Sequence, residues 1–539
     1  MTTALSMNRE TQMVWQPKSG MTPKTAGTAV CAFLDTATTS MGRATHYNTR
    51  EDQQVAELAA HESLLHMSRD IYTVLLGVPG VTDRAVQVGM RNLLSTHRDV
   101  KDDEFLRAEN ERTVLSYLMQ ALPPQRMLKM IQTFRLGDET LGLKKANNAK
   151  TRKLVLRTLL ASPRLALWTV KYRSKMAEAL VHAWGQKLST VIRVILAKAA
   201  STQTPKEQKI LKDQIQTFSG VGNYKLACEC IGFVFGNREG VRNPMLRAYT
   251  TARTDLKAAA KAGLPLEVLE GIRSTFHKTT THDEVVRLMV KDGKLTDGQK
   301  MAVQKQAEKA GVEVEMDPTK FDPVRLYLYA FERGLDEKIQ KALEQKAVKA
   351  AAAFPAHYGR VGIVVDASAS MAGDKTQALR PMAATLALRD MLQKVGDSAV
   401  TEYVGGQMGE LVRPMGDTSL ADGLMKVLMA DPAPEAVFVL SDGYENAPSG
   451  RFAEVMEQVR EIGVNTPVYH LNPVFAAESG KVRELAPKTV PTMPVRSPEA
   501  LGSAILRGLI ENEPLKGINA LIGSALKSGP VGSLPAVSE

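Results

Sequence analysis

Cysteine is scarce in this chain, and long apolar runs are absent from it. Three cysteines among 539 residues, Cys31, Cys228 and Cys230, cannot build a disulfide framework, and the last two have no second pair to complete a zinc site. The first ten residues contain no apolar core of signal-peptide length. No stretch approaches the roughly 20 apolar residues that cross a bilayer. We therefore expect a cytoplasmic protein, not bound to a membrane, whose cysteines are buried as small apolar side chains.

Acidic residues are nearly absent from one long stretch. Between Glu139 and Glu207 the only acid is Glu178, while 14 lysines and arginines occur there. From Ala356 to the end the chain has 16 basic and 21 acidic residues, a net charge of −5, and the remainder has 53 and 37, a net charge of +16. A chain of this length needs two or more domains. Its basic front part is typical of proteins that bind nucleic acid or another anionic surface.

The front part has helical periodicity from about residue 50 to residue 353. Its linkers are short and carry Gly, Pro or Asn, no strand pattern interrupts the helices, and no exact repeat period is present. We predict an all-α, HEAT-like array of helical hairpins over 27–355, preceded by a flexible segment over 1–26. The predicted helices span 81–95, 102–120, 124–133, 150–161, 163–179, 185–200, 222–235, 244–262, 265–274, 282–291, 299–310 and 335–353.

The pattern changes after residue 355, where apolar strands and helices alternate. This alternation predicts an α/β domain with a doubly wound parallel sheet over 356–512. A flexible tail is predicted over 513–539, because the last residues are rich in Ser, Gly and Pro. The predicted strands span 361–366, 399–404, 437–442 and 467–471, and the predicted helices span 376–395, 450–463 and 498–512, with one more that begins at Leu420.

Five oxygen-bearing side chains accompany two of these strands. Asp366, Ser368 and Ser370 stand at the end of the first strand. Asp442 ends a later strand, and Thr418 lies in a turn before a helix. Ligands of open α/β sheets sit at the carboxyl ends of the strands, and a set of oxygens suits Mg²⁺ better than zinc. We predict a Mg²⁺ site of these five residues, with one position open for a partner's oxygen. The alternative is that the serines cap a helix and the last aspartate forms a turn.

Basic side chains in the acid-poor stretch repeat at helical spacing, which places them on two helix faces. Cations in such rows can follow a phosphate backbone, and the rings of Trp168 and Tyr172 can stack on an unpaired base. The alternative is a solvated lysine face with Trp168 in the core. His182 is predicted to be a satisfied core histidine, with RNA contact as a minor alternative. The first face carries Lys150, Lys153 and Arg157, and the second carries Arg164, Trp168, Lys171 and Lys175.

These motifs together resemble a known protein family. The order Asp-x-Ser-x-Ser, Thr, Asp is similar to the metal-ion-dependent adhesion site of von Willebrand factor A domains. A basic helical part followed directly by such a domain resembles the Ro autoantigen family, whose helical part is called the TROVE module. The residues that carry the likeness are 322–334, 336–343 and 359–371, together with 165–175, a stretch similar to one whose Lys and Arg meet RNA in that family.

The resemblance implies a specific function. The helical hairpins would close into a ring, with the A domain joining its two ends. The basic inner wall would hold single-stranded 3′ ends of defective RNAs, and the outer surface would bind a small structured noncoding RNA of the Y type. In bacterial members that RNA tethers an exoribonuclease, polynucleotide phosphorylase. On this resemblance Lys171, Arg173 and Lys175 contact RNA, and we expect a monomeric ribonucleoprotein that acts in RNA quality control or processing.

Two other functions are compatible with the same residues. The chain could be a protein-binding scaffold that acts through the metal site alone, with a partner's carboxylate completing the Mg²⁺ shell. It could also be a metal-dependent nuclease, but two carboxylates make one metal site rather than two, and no general base is visibly paired with them. Asp374 and Glu445 lie nearby in sequence, and we predict that both are solvated loop residues. We therefore expect no catalytic activity.

Overall fold

The chain folds into two compact units that do not follow its order. Unit 1 comprises Met1–Leu93, Arg98–Leu118 and Phe321–Glu539, and unit 2 comprises Leu94–His97 and Met119–Lys320. Unit 1 therefore joins the first helices of the chain to its carboxyl-terminal part, whereas the sequence predicts one boundary at residue 355. The computed structural model describes residues 15–41, 50–99, 105–106, 108–137, 145–292, 295–352, 354, 356–373, 378–476 and 481–528.

Helices account for the front part of the chain, as its periodicity predicts. No helix among the described residues is long and apolar enough to cross a membrane. The first helices are α1 (Pro23–Ala37), α2 (Arg50–Met67), α3 (Arg69–Leu75), α4 (Asp83–Ser95) and α5 (Ala108–Ala121). Those of unit 2 are α6 (Pro124–Leu136), α7 (Ala149–Leu160), α8 (Leu165–Lys171), α9 (Arg173–Trp184), α10 (Gln186–Ala197), α11 (Pro205–Leu211), α12 (Tyr224–Val234), α13 (Pro244–Thr251), α14 (Leu256–Lys261), α15 (Leu266–Phe276), α16 (His282–Lys291) and α17 (Asp297–Lys309).

Local capping decides where several of these helices begin. At Thr204, Thr281 and Thr296 the threonine accepts from the backbone N–H three residues on, and the Glu or Gln at that position bonds back. Asp255 accepts from the Ala258 N–H at 2.9 Å and so begins α14. For this reason the segment predicted as one helix over 244–262 is two helices. The helix predicted over 163–179 is also divided, between α8 and α9.

The carboxyl-terminal part is an α/β domain built on a parallel sheet, as predicted. The strands of the chain are β1 (Ser40–Met41), β2 (Tyr358–Asp366), β3 (Gly396–Val404), β4 (Ala436–Leu440), β5 (Val468–Asn472), β6 (Val474–Ala476), β7 (Lys481–Val482) and β8 (Thr492–Pro494). The five strands of the parallel sheet lie in the order β3-β2-β4-β5-β8, and every neighbouring pair is parallel. The remaining helices are α18 (Pro323–Arg333), α19 (Glu337–Ala351), α20 (Arg380–Leu392), α21 (Leu420–Leu428), α22 (Arg451–Glu461), α23 (Leu501–Asn512) and α24 (Pro514–Ser528).

The sheet is covered on both faces. Ile363, Val364 and Val365 are consecutive in β2, and all three are fully buried. Successive strand residues point to opposite faces, so burial of all three requires packing on both sides. On one face, Val364 packs in a core with Leu424 of α21 and Phe452 of α22. This arrangement leaves the carboxyl ends of β2 and β4 side by side at one edge of the sheet.

Both ends of the helical region pack onto the α/β domain within unit 1. Helix α1 contacts α23 and α24, while α18 and α19 contact α20. Strand β1 pairs with β6, through Ser40 beside Val474 and Met41 beside Phe475. β1 lies before residue 50 and does not interrupt the segment predicted to be helical, but it falls within the predicted all-α domain over 27–355. Two residues are too few to produce an alternating pattern, so the partner strand alone defines this element.

Described residues at both ends of the chain contradict part of the flexible segments predicted there. Residues 1–14 and 529–539 lie outside the described residues. Trp15 is buried, and its N–H donates to Asn519 Oδ1 at 2.6 Å. Within the tail predicted over 513–539, Pro514–Ser528 forms α24, so the prediction is wrong for that segment. Its buried residues Ile518, Leu521, Ile522 and Ala525 recur at helical spacing and pack in unit 1.

A buried ion pair joins the two ends of the chain. Arg507 of α23 donates from Nε and Nη2 to the two carboxylate oxygens of Asp35 in α1, both at 3.0 Å. Arg507 also donates to the Thr492 carbonyl at 3.1 Å and contacts Glu511. Arg507 and Asp35 are 2% and 1% exposed. The buried guanidinium donates hydrogen bonds both to a carboxylate of α1 and to a carbonyl of β8, so it fixes α1 against the α/β domain.

Candidate metal site and basic helical surface

Adjacent strands bring the two predicted carboxylates to the same edge of the sheet. Asp366 is the last residue of β2, and Asp442 follows β4 by two residues. The strands are direct neighbours, with Val365 opposite Leu440. The two strand ends therefore meet as the sequence predicts, and both aspartates are buried.

Hydrogen bonds connect four of the five predicted ligands. The Ser368 N–H donates to Asp366 Oδ1 at 2.9 Å, and the hydroxyls of Ser368 and Ser370 lie 3.1 Å apart. Ser370 in turn bonds Asp442. Ser441 donates from its hydroxyl to Asp366 Oδ2 at 2.6 Å. The loop after β2 and the end of β4 thus form one connected group of oxygens.

Thr418 is tied to this group through the backbone. The Ala369 N–H donates to the Gly416 carbonyl at 3.1 Å, and the Ala447 N–H donates to the Thr418 carbonyl at 3.2 Å. The Thr418 N–H donates to Asn446 Oδ1 at 2.9 Å. The Thr418 side chain is buried. The five predicted residues therefore come from the end of β2 and from loops that bond to one another.

The electrostatics of the site favour a bound cation. Burial raises the pKa of Asp366, and the negative charge of Asp442 raises it further. Burial also raises the pKa of Asp442, while Arg483 opposes that shift. Two buried carboxylates and several hydroxyls form an all-oxygen set that suits Mg²⁺. Among the described residues no three His, Cys, Asp or Glu side chains cluster as metal ligands, so hydroxyls would have to complete the shell.

The alternative prediction was that the serines cap a helix and that Asp442 forms a turn. The structure supports only part of it. Ser368 precedes a short 3₁₀ helix over Ala369–Ala372 but makes no side-chain capping bond to it. Asp442 does form a turn, because its Oδ1 accepts from the Tyr444 N–H at 3.0 Å. Helix capping therefore does not explain the position of Ser368. The turn explains the contact of Asp442 Oδ1 but not the role of its second carboxylate oxygen.

Two residues near the site differ from their predictions or were not predicted. Glu445 is buried, and its carboxylate accepts from the Phe452 N–H at 3.0 Å, so the prediction of a solvated loop residue is wrong. The carboxylate caps the first turn of α22, which lacks a capping side chain at its N-terminus. Asp374 lies outside the described residues. Ser441 was missed, although its place directly before Asp442 at a strand end is a usable signal.

The predicted RNA-binding residues lie on α7, α8 and α9 of unit 2 and at the start of α8. Four of them are exposed, and none of the four has an ion-pair partner within the described part of the chain: Lys153, Arg157, Arg164 and Lys175. Lys150 is half-buried. Exposed cations without carboxylate partners remain available to a polyanion.

Three other predicted RNA contacts are already occupied within the protein. Lys171 forms an ion pair with Glu267 at 2.8 Å. The guanidinium of Arg173 lies 5.0 Å from the centre of the Tyr249 ring and bonds its hydroxyl. Trp168 is 9% exposed. The prediction that Trp168 stacks on a base is therefore wrong, because its ring is packed in the helical core.

His182 is buried, as expected for a core histidine, but it is not satisfied. Neither imidazole nitrogen has a hydrogen-bond partner among the described residues. Burial lowers the pKa of His182, and the charges of Arg152 and Arg135 lower it further. The ring lines an open pocket with Lys175. A buried imidazole whose two nitrogens have no partner among the described residues is unusual.

Comparison of the chain with protein-family models and with curated proteins finds no match.

Proposed function

We propose that the chain is a non-catalytic RNA-binding protein of the Ro type. In this proposal the helical region is a HEAT-like ring closed by a von Willebrand A domain. The ring holds single-stranded 3′ ends of misfolded RNAs, and the outer surface carries a small structured noncoding RNA. That RNA connects the protein to an exoribonuclease such as polynucleotide phosphorylase.

The observation that carries the proposal is a set of exposed cations on unit 2 that have no ion-pair partner among the described residues. Lys153 and Arg157 stand one helical turn apart on α7, and both are exposed. Arg164 and Lys175 add two more exposed charges in a stretch with a single acid. Phosphate contacts by such side chains release counterions and supply affinity without reading sequence. A protein that retains RNA ends regardless of sequence needs this kind of surface.

The packing of unit 1 supports the closure of the helical region. The first helix and the last two helices of that region contact the same α/β domain. The Asp35–Arg507 pair fixes the first of these contacts. The proposed ring requires a domain that contacts both ends of the helical array.

The proposed cofactor is Mg²⁺, held by Asp366, Ser368, Ser370, Thr418 and Asp442. The ion would neutralise the two buried carboxylates and would accept one oxygen from a partner in its remaining position. The donor set fits this role because it consists of oxygens only and carries two negative charges.

RNA binding is tested by its salt dependence. We expect the double variant Lys153→Ala/Arg157→Ala to flatten the plot of log affinity against log salt concentration by about 1.4, since each single-strand phosphate contact contributes about 0.7. Filter binding of a labelled single-stranded RNA over a salt series measures this slope.

The matched control removes two lysines from the α/β domain. Lys426 and Lys488 are 67% and 87% exposed. The variant Lys426→Ala/Lys488→Ala has the same change in net charge, and we expect it to keep the wild-type slope. Equal slopes for the two double variants would remove the α7 surface from the RNA site.

A protein-binding scaffold is the second candidate, and an exposed apolar rim favours it. Met415 is 58% exposed, and its N–H donates to the Ala367 carbonyl inside the metal loop at 2.9 Å. Tyr444, two residues after Asp442, is 47% exposed. Asp366→Ala separates the two functions. It should leave RNA affinity nearly unchanged if RNA binds the helices, and it should abolish partner binding if the metal site is the only functional surface.

A further inference from the structure

Helices α21 and α22 of the α/β domain pack against each other along an apolar seam. Ala421 of α21 and Val455 and Val459 of α22 form its buried core, and Met425 of α21 packs against them. Residues four positions apart lie on the same face of a helix, so each helix contributes one row of apolar side chains to the seam. The two rows run from the first turns of the helices toward their carboxyl ends.

Both rows continue beyond the part of the seam that is covered. Met429 follows Met425 by four positions, and Ile462 follows Val459 by three, so each extends the row of its own helix. Met429 is the carboxyl-terminal cap of α21 and Ile462 that of α22, and each side chain is 76% exposed. Met425 is half-buried. These three residues, Met425, Met429 and Ile462, form an open seam where apolar packing reaches solvent.

The open seam is separate from the candidate metal site. Met429 precedes β4, Ile462 precedes β5, and these two strands are parallel neighbours. Both residues therefore lie toward the amino ends of the strands. Asp366 and Asp442, in contrast, lie at the carboxyl ends of β2 and β4. A partner on the open seam therefore contacts the edge of the sheet opposite the metal site.

Ile462 is not required to end its helix. Gly463 has a φ of +83°, and the Val464 N–H donates to the Val459 carbonyl at 3.1 Å, as in a Schellman motif. Val464, rather than Ile462, packs back against the seam. A large apolar side chain that is exposed beside another one, without a role in the local fold, is typical of an interaction surface.

The charge around the open seam is negative. Asp431 follows Met429 by two positions, and Glu461 directly precedes Ile462. Both carboxylates are exposed, and neither has an ion-pair partner within the part of the chain that the structure describes. The carboxyl ends of the two helices add partial negative charge. This surface repels phosphate groups and attracts cationic side chains.

The basic residues of the same two helix ends are already engaged. Lys426 of α21 forms an ion pair with Glu402. Arg460 of α22 donates to the Val464 carbonyl at 2.7 Å. Neither one neutralises the exposed carboxylates beside the open seam, so cations from another molecule complement this surface.

We propose that the open seam binds a basic amphipathic helix of a partner protein. The apolar face of that helix covers Met429 and Ile462, and its lysines and arginines face Asp431 and Glu461. An amphipathic helix presents apolar side chains at the three- and four-residue spacing that both rows of the seam use. Methionine suits such a surface because its unbranched side chain adapts to the shape of its partner. This interaction is independent of the proposed RNA binding and of the metal.

The test uses the full chain and two short fluorescein-labelled peptides. One has Leu and Lys arranged as an amphipathic helix, and the other has Glu in place of every Lys. We expect the Leu/Lys peptide to bind wild type, and Met429→Ser/Ile462→Ser to weaken that binding about tenfold or more, because central apolar anchors carry most of the affinity. Fluorescence anisotropy measures both affinities. Both substituted side chains are largely exposed, so the variant keeps its fold.

Val55→Ser/Val348→Ser is the matched control. Val55 of α2 and Val348 of α19 belong to unit 1 and are 63% and 50% exposed. The control loses two exposed apolar side chains, as the test variant does, and we expect its affinity to stay within about twofold of wild type.

Charge reversal supplies an independent readout. Asp431→Lys/Glu461→Lys keeps the apolar seam and reverses the charge beside it. We expect this variant to bind the Leu/Lys peptide more weakly than wild type and the Leu/Glu peptide more tightly.

Three results would overturn the proposal. The first is that wild type binds neither peptide, or binds both equally well. The second is an equal loss of affinity in Met429→Ser/Ile462→Ser and in the control. The third is sedimentation in which wild type self-associates and Met429→Ser/Ile462→Ser does not, because a second copy of the chain then covers the seam. None of these measurements includes RNA, so this proposal and the RNA-binding proposal fail separately.

Discussion

Replacing Arg507 by methionine is expected to lower the free energy of unfolding of unit 1 by about 3–5 kcal/mol, because the substitution removes the guanidinium that compensates the buried charge of Asp35. Both side chains are almost fully buried, so solvent cannot compensate for the lost guanidinium. The Thr492 carbonyl in β8 loses a donor at the same time. Hydrogen exchange measured by mass spectrometry on peptides from α1 and α23 reports this loss directly.

The double variant Asp35→Leu/Arg507→Met provides the critical control. It removes both charges, and we expect it to recover most of the lost stability, since apolar replacement of a buried pair is often neutral or better. Lys516→Met breaks the exposed pair with Glu513 and should cost at most about 1 kcal/mol. If the amides of α1 exchange as slowly in Arg507→Met as in Lys516→Met, the Asp35–Arg507 pair does not hold α1 in place.

Magnesium is expected to raise the melting temperature of the wild-type chain, because an ion that binds only the folded state stabilises it by mass action. At a concentration 100 times its Kd the gain is about 2.7 kcal/mol. Asp442→Ala should lose this response. Without metal the variant should be about as stable as wild type, since removal of one carboxylate relieves its repulsion of Asp366.

Asp431→Ala is the matched control for the metal experiment. Asp431 is exposed in the segment before β4, at the opposite end of that strand from Asp442. The substitution changes the net charge by the same amount and should retain the full magnesium response. Thermal unfolding with EDTA and with added Mg²⁺ compares the three proteins. An equal shift in all three would place the ion elsewhere.

The sequence predicted the α/β part well because its signals are local. An apolar run such as Val361–Asp366 has the length and composition of a buried parallel strand, and its polar end marks the edge of the sheet. Parallel pairing of two such strands, β2 and β4, brings Asp366 and Asp442 together. The helices of the basic region were equally accessible, because periodicity and capping residues act within one or two turns.

Whether an individual side chain is exposed, ion-paired or buried can be read only from the tertiary structure. Lys171 and Lys175 both look like free cations in the sequence, but Glu267, 96 positions away, pairs with Lys171. The core position of Trp168 and the satisfied carboxylate of Glu445 likewise depend on what packs around them. His182 shows the reverse, since burial without partners becomes visible only when the surrounding helices are in place.

By itself, then, the sequence determined the helical and α/β composition, the strand ends and the grouping of the acidic oxygens. The tertiary structure alone decided that the first and last parts of the chain form one unit. Asp35 and Arg507 are 472 positions apart, and β1 has only two residues. Partners at such separations leave no periodic or compositional trace, because each is selected by the surface it meets rather than by its neighbours along the chain.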